Sequence, residues 1–409
     1  MEIRPILSAL SRNKTGAFLI AAQIALTFAI TVNAAYVIRD RLATAARPSG
    51  VDDEQRVVTV RYTMTSSQNL DALQQRDLLS LRGLPGVESA SITNQVPLGG
   101  GGWSGSMAAG NTRAAPSVNA GMVFDDGSLL KTLGIKMIEG RYFTPDEIMV
   151  VDPNTSRDSP SVVLVTRALA KTLFPNDASV LGKTIYQGNT PDSPAASIIG
   201  VIDHIETPWA QTSEKHLNTV VFPQRLLQPY NYYVMRLKPG ALETTKQAVL
   251  DALAKNDPDR VVGRDGVASI EKLRAKRYRG EHAVAGLLIA VTVFLLIVTA
   301  SGIVGMASLW VNLRRKQIGV RRALGATRGD IVRYFVTENL LITGTGVVSG
   351  AIAAQLLNAA LVRQMSLPQL PWPGLAVGVV ALLLLGVGSV MGPAVRASRL
   401  SPALATRSV

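Results

Sequence analysis

Three short stretches carry residue types that chemistry on a substrate would need. "GKT" at 182–184 has the lysine and hydroxyl of a phosphate-binding loop, but that loop needs a glycine five residues before Gly182, where Asp177 stands. "GWSGS" at 102–106 begins like the turn that presents a nucleophilic serine, yet Ser106 occupies the place of the second glycine. "DHIE" at 203–206 offers Asp203, His204 and Glu206 as metal ligands, but polar residues closing a strand read more simply as a solvated turn. The other histidines, His216 and His282, are scattered, and the absence of cysteine excludes thiol catalysis and disulfides. The reading is of a chain with no catalytic, cofactor-binding or metal site, and not an enzyme. Functional residue types are densest in "KQIGVRRALGATRGD" at 316–330. There Lys316, Gln317, Ile318, Gly319, Val320, Arg321, Arg322, Ala323, Leu324, Gly325, Ala326, Thr327 and Asp330 combine charge, glycine breaks and a helix cap. Such a set builds a rigid elbow rather than making or breaking bonds.

The elements that must position this stretch are apolar. Of the 409 residues 47% are hydrophobic and only 17% charged, and the mean hydropathy is +0.22. Four runs nearly free of charge occupy 16–38, 283–311, 339–362 and 371–395. Each exceeds the ~20 residues that cross a bilayer as helix, so they are expected to be four transmembrane helices rather than buried helices of a large soluble core. The first run is longer than the ~7–15 apolar residues of a secretory leader and reads as a retained anchor.

Basic residues set the orientation. Arg4, Arg12 and Lys14 precede the first run; Arg314, Arg315, Lys316, Arg321, Arg322, Arg328 and Arg333 lie in the 312–338 loop; Arg396, Arg399 and Arg407 follow the fourth. The connection between runs three and four has Arg363 alone. The positive-inside rule therefore places both termini and the loop in the cytoplasm of a multi-pass membrane protein, and the 39–282 segment outside. Lys272, Arg274, Lys276, Arg277 and Arg279 pull the other way, but long domains translocate largely regardless of charge. Topology accounts for the net charge of +13 without nucleic acid as a partner.

The outer segment alternates strand and helix patterns. "RVVTVRYTM", a helix with Leu70, Leu73, Leu78, Leu79 and Leu81 on one face, and "ESASITNQV" form one β-α-β unit at 56–96. "YYVMRL", "LETTKQAVLDALAKNDPD" and "RVVGRDGVASI" form a second at 231–270. They read as paired halves of one subdomain, with 97–230 inserted and carrying strands at "SVVLV", "ASIIGVI" and "NTVVF". "GGGGW" at 99–103 is a loop or hairpin tip. The fold class is thus membrane α-helical with an α+β extracytoplasmic domain between the first and second helices.

Within 312–338, "KQIGVRRALGA" is expected as a short helix with Ile318 and Leu324 on its apolar side. Thr327 and Asp330 match a capping box, and Ile331, Val332, Phe335 and Val336 lead amphipathically into the third span. Anchoring alone needs basic residues but not these glycines and this cap.

"RRKQIGVRRALGATRGDIVRYFVTENLLITGTGVVSG" closely resembles the signature of FtsX-like ABC transporter permeases, and "GPAVRASRLSPALATR" resembles the end of that domain, placed at 283–405. "LGIKMIEGRYFTPDE", "SVVLVTRALAKTLFPNDASVLGKTI" and "IIGVIDHI" resemble the MacB-type periplasmic core domain, and "RPILSALSRNKTG" the amphipathic cytoplasmic helix, 1–15, before span one. Gln317 departs from the pattern, since many relatives carry glutamate there.

The resemblance implies a permease of the mechanotransmission type, paired with an identical or sister permease above an ABC ATPase dimer that binds ATP and magnesium. Residues 316–330 would be the coupling element, and tail residues 396–409 would be cytoplasmic. A separate ATPase, a periplasmic adaptor, an outer-membrane channel and efflux are the implied setting. Lipoprotein extraction or regulation of a cell-wall hydrolase is the same mechanism with another task. A membrane-anchored sensor or scaffold, its basic loop held on anionic lipid, is the alternative of another class.

Overall fold

The computed structural model describes residues 14–65, 69–209, 217–365 and 370–400. The expected helix at 1–15 lies outside these residues except for Lys14 and Thr15, as do His216 and tail residues 401–409. The chain divides into two compact units, Thr44–Gly280 and the remainder.

Helix α1 (Lys14–Ala45) comes first. The α/β unit then opens with β1 (Val57–Thr63), α2 (Leu70–Arg82) and β2 (Val87–Thr93). It closes with β12 (Tyr230–Leu237), α5 (Leu242–Asn256), β13 (Val261–Ser269) and α6 (Ile270–Arg277). The four strands form one antiparallel sheet, ordered β13-β1-β12-β2. The register sets Tyr62 against Asn231 and Val60 against Tyr233, and the rings of Tyr62 and Tyr233 stack 4.6 Å apart. Alternate strand residues, among them Val58, Val60 and Met235, pack with Leu78 and Leu81 of α2 and Val249 and Leu253 of α5. Leu79 departs from the expected apolar face and is 70% exposed. It is one residue, about 100°, from buried Leu78, and the inward stripe of a helix is not wide enough to hold both it and Leu81.

A charge sits inside this layer. Asp77, fully buried, accepts from the Tyr233 hydroxyl at 2.5 Å and from Arg260 Nη2 at 2.6 Å, and Asn256 Nδ2 donates to its other oxygen at 2.9 Å. A buried carboxylate is tolerable only with such partners, so α2, α5, β12 and the start of β13 are held in one arrangement.

The segment between the halves runs through β3 (Ser104–Ala108), β4 (Ser117–Phe124), α3 (Leu129–Leu133), β5 (Met137–Gly140), β6 (Met149–Val151) and β7 (Val162–Thr166). Then follow α4 (Arg167–Leu173), β8 (Thr184–Gln187), β9 (Ala195–Ile202), β10 (Thr219–Phe222) and β11 (Gln224–Leu226). Seven of these strands order as β5-β9-β7-β10-β4-β3-β8, and β8 pairs again with β9. Six strands therefore close into a ring, which leaves few open edges. Phe124, Phe222, Val163, Val165 and Ile198 fill it. Strands β6 and β11 pair separately.

The helical unit contains α1, α7 (Arg279–Leu313), α8 (Arg315–Ala323), α9 (Arg328–Met365) and α10 (Trp372–Ser398). Helices α1, α7, α9 and α10 are long and apolar enough to cross a bilayer. Many of their leucines, isoleucines and valines, such as Leu287, Ile297, Leu356 and Leu384, point outward, as lipid-facing residues must. Inside, small and polar residues set the contacts. Thr27 and Thr299 hydrogen-bond at 2.8 Å, Asn33 Nδ2 donates to the Ala354 carbonyl at 3.1 Å, and Asn339 Nδ2 to that of Gly386 at 2.9 Å. At Gly350 a side chain could not fit, since a Cβ would stand 2.8 Å from the Ala25 carbonyl and from Phe28 Cβ.

Candidate functional site

Helix α7 ends at Leu313 and α8 begins at Arg315, so the turn between them is Arg314 alone. The amphipathic period of α8 then decides which residues are presented. Ile318 and Gly319 face inward, and Ile318 packs with Val311, Ile331, Phe335, Val390 and Ala394. Arg315, Lys316, Gln317, Arg321 and Ala323 are exposed, together with Val320 at 51% and Leu324 at 82%. Leu324 therefore does not share the side of Ile318 as expected. Six positions make about one and two-thirds helical turns, so Leu324, the cap residue after Ala323, stands about 120° from Ile318 and past the inward stripe. The result is an apolar pair, Val320 and Leu324, ringed by cations.

The end of α8 is built by glycine. Gly325 has φ +94°, a region that only glycine enters at little cost. Its amide donates to the Arg322 carbonyl at 3.2 Å and the Ala326 amide to the Arg321 carbonyl at 3.1 Å. These two bonds form the left-handed helix stop that satisfies otherwise orphaned carbonyls. Arg322 Nη1 donates to the Ala326 carbonyl at 3.0 Å. Two residues on, the Asp330 amide donates to Thr327 Oγ1 at 3.2 Å and the Thr327 amide to Asp330 Oδ2 at 2.9 Å, so the capping box is formed. Helix α9 then runs without interruption to Met365, making the lead-in and the third span one rod.

The expected residues 316–330 thus form one compact elbow. Sequence reasoning missed two residues beneath it. Arg314 Nη1 donates to both oxygens of Glu338 at 2.9 and 2.8 Å, with side-chain exposures of 12% and 1%. Arg314 entered the sequence reading only as a positive charge. The available signal was Glu338, the one carboxylate in residues 331–400, since an acid beside an apolar span needs a partner.

The stretches resembling catalytic motifs go elsewhere. Lys183 pairs with Asp177 at 2.5 Å, Asp203 with Arg167 at 3.1 Å, and the His204 ring lies 3.0 Å from the Pro48 carbonyl. Ser104 and Ser106 lie along β3. Trp103, closing the glycine loop, stacks edge-on to Phe124 with centroids 5.6 Å apart, anchoring that loop in the ring of strands.

A second cluster, in the α/β unit, concerns how the chain enters and leaves it. Arg274 of α6 donates to the carbonyls of Ala45 at 3.1 Å and Arg47 at 2.6 Å, just where α1 ends, and makes two bonds to Glu54 at 2.7 and 2.5 Å. Burial pushes the Glu54 carboxyl up, but the bonds from Arg274 and Ser49 outweigh it and hold the group below its ordinary value.

Residues 21–253 match the MacB-like periplasmic core domain and residues 289–402 the FtsX-like permease C-terminal domain. A macrolide export ATP-binding/permease protein MacB of Chromobacterium violaceum is 26% identical over 295 residues, covering 70% of this chain and 43% of that protein. A pyoverdine export ATP-binding/permease protein PvdT of Pseudomonas entomophila is 22% identical over 292 residues, covering 66% and 40%. The chain spans less than half the length of these relatives. The solved periplasmic region of MacB from Actinobacillus actinomycetemcomitans aligns with 56% of this chain and 94% of its own, at 14% identity and a TM-score of 0.34.

Proposed function

This chain belongs to the MacB-like family of ABC transporter permeases with an FtsX-like C-terminal domain, and from that premise we propose that it is an export permease driven by an ATPase on another polypeptide. In this reading α8 and the two termini are cytoplasmic, the α/β unit is periplasmic, and ATP with its magnesium is bound by the ATPase dimer. Two permease copies, or this chain and a sister, stand above that dimer, and a periplasmic adaptor and an outer-membrane channel complete the export route. Closure of the ATPase pushes on α8, and the push reaches the α/β unit through the spans.

One observation carries the reading. Helix α8 presents Val320 and Leu324 outward within a ring of Arg315, Lys316 and Arg321, while Ile318 and the capped start of α9 fix its other side. Exposed apolar residues on a rigid, charged short helix are the composition of a docking surface, with apolar anchors surrounded by polar residues. Attraction to lipid headgroups would need the cations but not the geometry.

The substitutions Val320→Asp and Leu324→Asp test it. Each places a carboxylate on the exposed face without touching the core. Both variants should insert and fold as the parent does, yet capture about tenfold less ATPase from detergent extracts, as loss of an interface anchor predicts. Undiminished capture by both would contradict the docking assignment.

A further inference from the structure

Helix α8 is joined to the rest of the helical unit in two ways, and they differ in strength. To α7 it is joined by backbone through a single residue, Arg314, which is not helical at φ −104°, ψ 15°. Such a joint lets α8 swing. To α9 it is joined by the Leu324–Thr327 turn and by side chains. Arg314 donates to both carboxylate oxygens of Glu338, while its guanidinium also lies over the ring of Trp310 on α7 at 5.8 Å. Arg321 lies over the Tyr334 ring at 4.9 Å. Ile318 packs with Ile331 and Phe335. Glu338 lies about two turns along α9 from Ile331, where the helix has become apolar.

An arginine nitrogen that donates to both oxygens of a nearly inaccessible carboxylate makes a short, charge-assisted contact, and an acid buried beside a membrane span without its cation is costly. Apolar contacts such as Ile318 with Phe335 let surfaces slide, whereas two charged bonds at fixed angles do not.

We infer that the Arg314–Glu338 pair is the positioning element that locks the docking helix α8 onto α9. A push on α8 then turns α9 as well as α7 instead of being absorbed at the Arg314 joint. This rests on the reading of α8 as the ATPase-docking element. It adds a route: α9 contacts α1 at Gly346 and Gly350, where a Cβ would stand 2.8 Å from the Ala21 and Ala25 carbonyls. Motion of α9 is thereby passed to the helix that leads into the α/β unit.

Two measurements on the full-length chain in liposomes test this. The chain has no cysteine, so Val320→Cys gives a single spin-label site on α8. In the parent the label should show restricted motion, and adding Glu338→Gln, a near-isosteric change that removes one charge, should release it. The ATPase is then titrated onto unlabelled protein. Glu338→Gln should leave the half-saturating concentration within about twofold while lowering maximal ATP turnover about tenfold, as for a lost buried pair. The exchange Arg314→Glu with Glu338→Arg should recover part of that loss. If Glu338→Gln lowers the thermal midpoint so far that it does not insert, Arg314→Lys is used, which keeps the charge but gives up the flat guanidinium that reaches Glu338 while lying over Trp310. Unchanged label mobility in a folded variant overturns the lock. Released mobility with full turnover overturns its role in transmission, as does a shift in half-saturation alone. If the parent chain itself never raises ATP turnover, the docking reading fails, and the inference fails with it.

Discussion

At the scale of single residues, the chain places charged groups where only particular partners make them tolerable. Asp125, nearly fully buried, accepts the amides of Gly127 and Leu129 at 2.7 and 2.9 Å. Burial and the neighbouring Asp126 charge outweigh these bonds and push its carboxyl up to about 6. A carboxyl raised on folding binds more protons in the native state than in the unfolded one, so its contribution falls as pH rises from about 4 to about 6. Asp125 should therefore cost on the order of 3 kcal/mol across that window. Burial also pushes Glu206 up, to about 8, against the Arg47 and Arg274 charges, so its contribution likewise falls as pH rises toward about 8. Asp125→Asn removes one contributor. Its thermal midpoint should vary less between pH 4 and 6 than that of the parent, and parallel curves would contradict the assignment. Gly325 makes a second residue-scale case. With φ at +94° and open space around it, Gly325→Ala meets only backbone strain, about 1–2 kcal/mol. Melting of α8, read by amide exchange at 321–326, should accelerate accordingly.

Elements inherit these choices. Period-two and period-3.6 patterns were enough to anticipate β1, α2, β2, β12, α5 and β13, because burying one face leaves its period in the sequence even where, as for β1 against β12, the partner is distant along the chain. The same patterns misplaced Leu79 and Leu324, where the width of the inward stripe and the phase of a short helix decide exposure. The closure of β8 onto β9 was not legible, since pairing between strands carries no local signal beyond alternation. Nor was the Arg314–Glu338 pair: the two residues are 24 apart and meet only because α8 and the Gly325 turn bring α9 back past Arg314. At this scale the end of α1 is the informative element. Its last carbonyls have no partner within the helix, and Arg274 supplies one from α6. Arg274→Ala should cost about 1–2 kcal/mol, because the site is partly solvated. It should raise amide exchange around 45–54 and 270–278 while leaving the ring of strands protected. Equal exchange in parent and variant would mean that the clasp contributes nothing.

The whole molecule joins two units with different solvents. The two units are inverted in where surplus leucine, isoleucine and valine go: the helical unit turns many of them outward around a smaller apolar core, whereas the α/β unit holds most of them in its cores. That inversion is what made the four spans and the domain between the first two legible from hydropathy alone. Both units belong to the MacB-like permease family. The proposed account is that ATP turnover beneath the membrane becomes displacement of the α/β unit above it. The most direct measurement is a distance distribution between spin labels on the two permease copies. Exposed Lys238 of the α/β unit, changed to cysteine in this cysteine-free chain, provides the site. The assembled permease–ATPase complex is compared in liposomes without nucleotide and with ATP trapped. The account predicts two different distributions, with the difference lost in Leu324→Asp. One distribution in both states, from a complex that hydrolyses ATP, would contradict it.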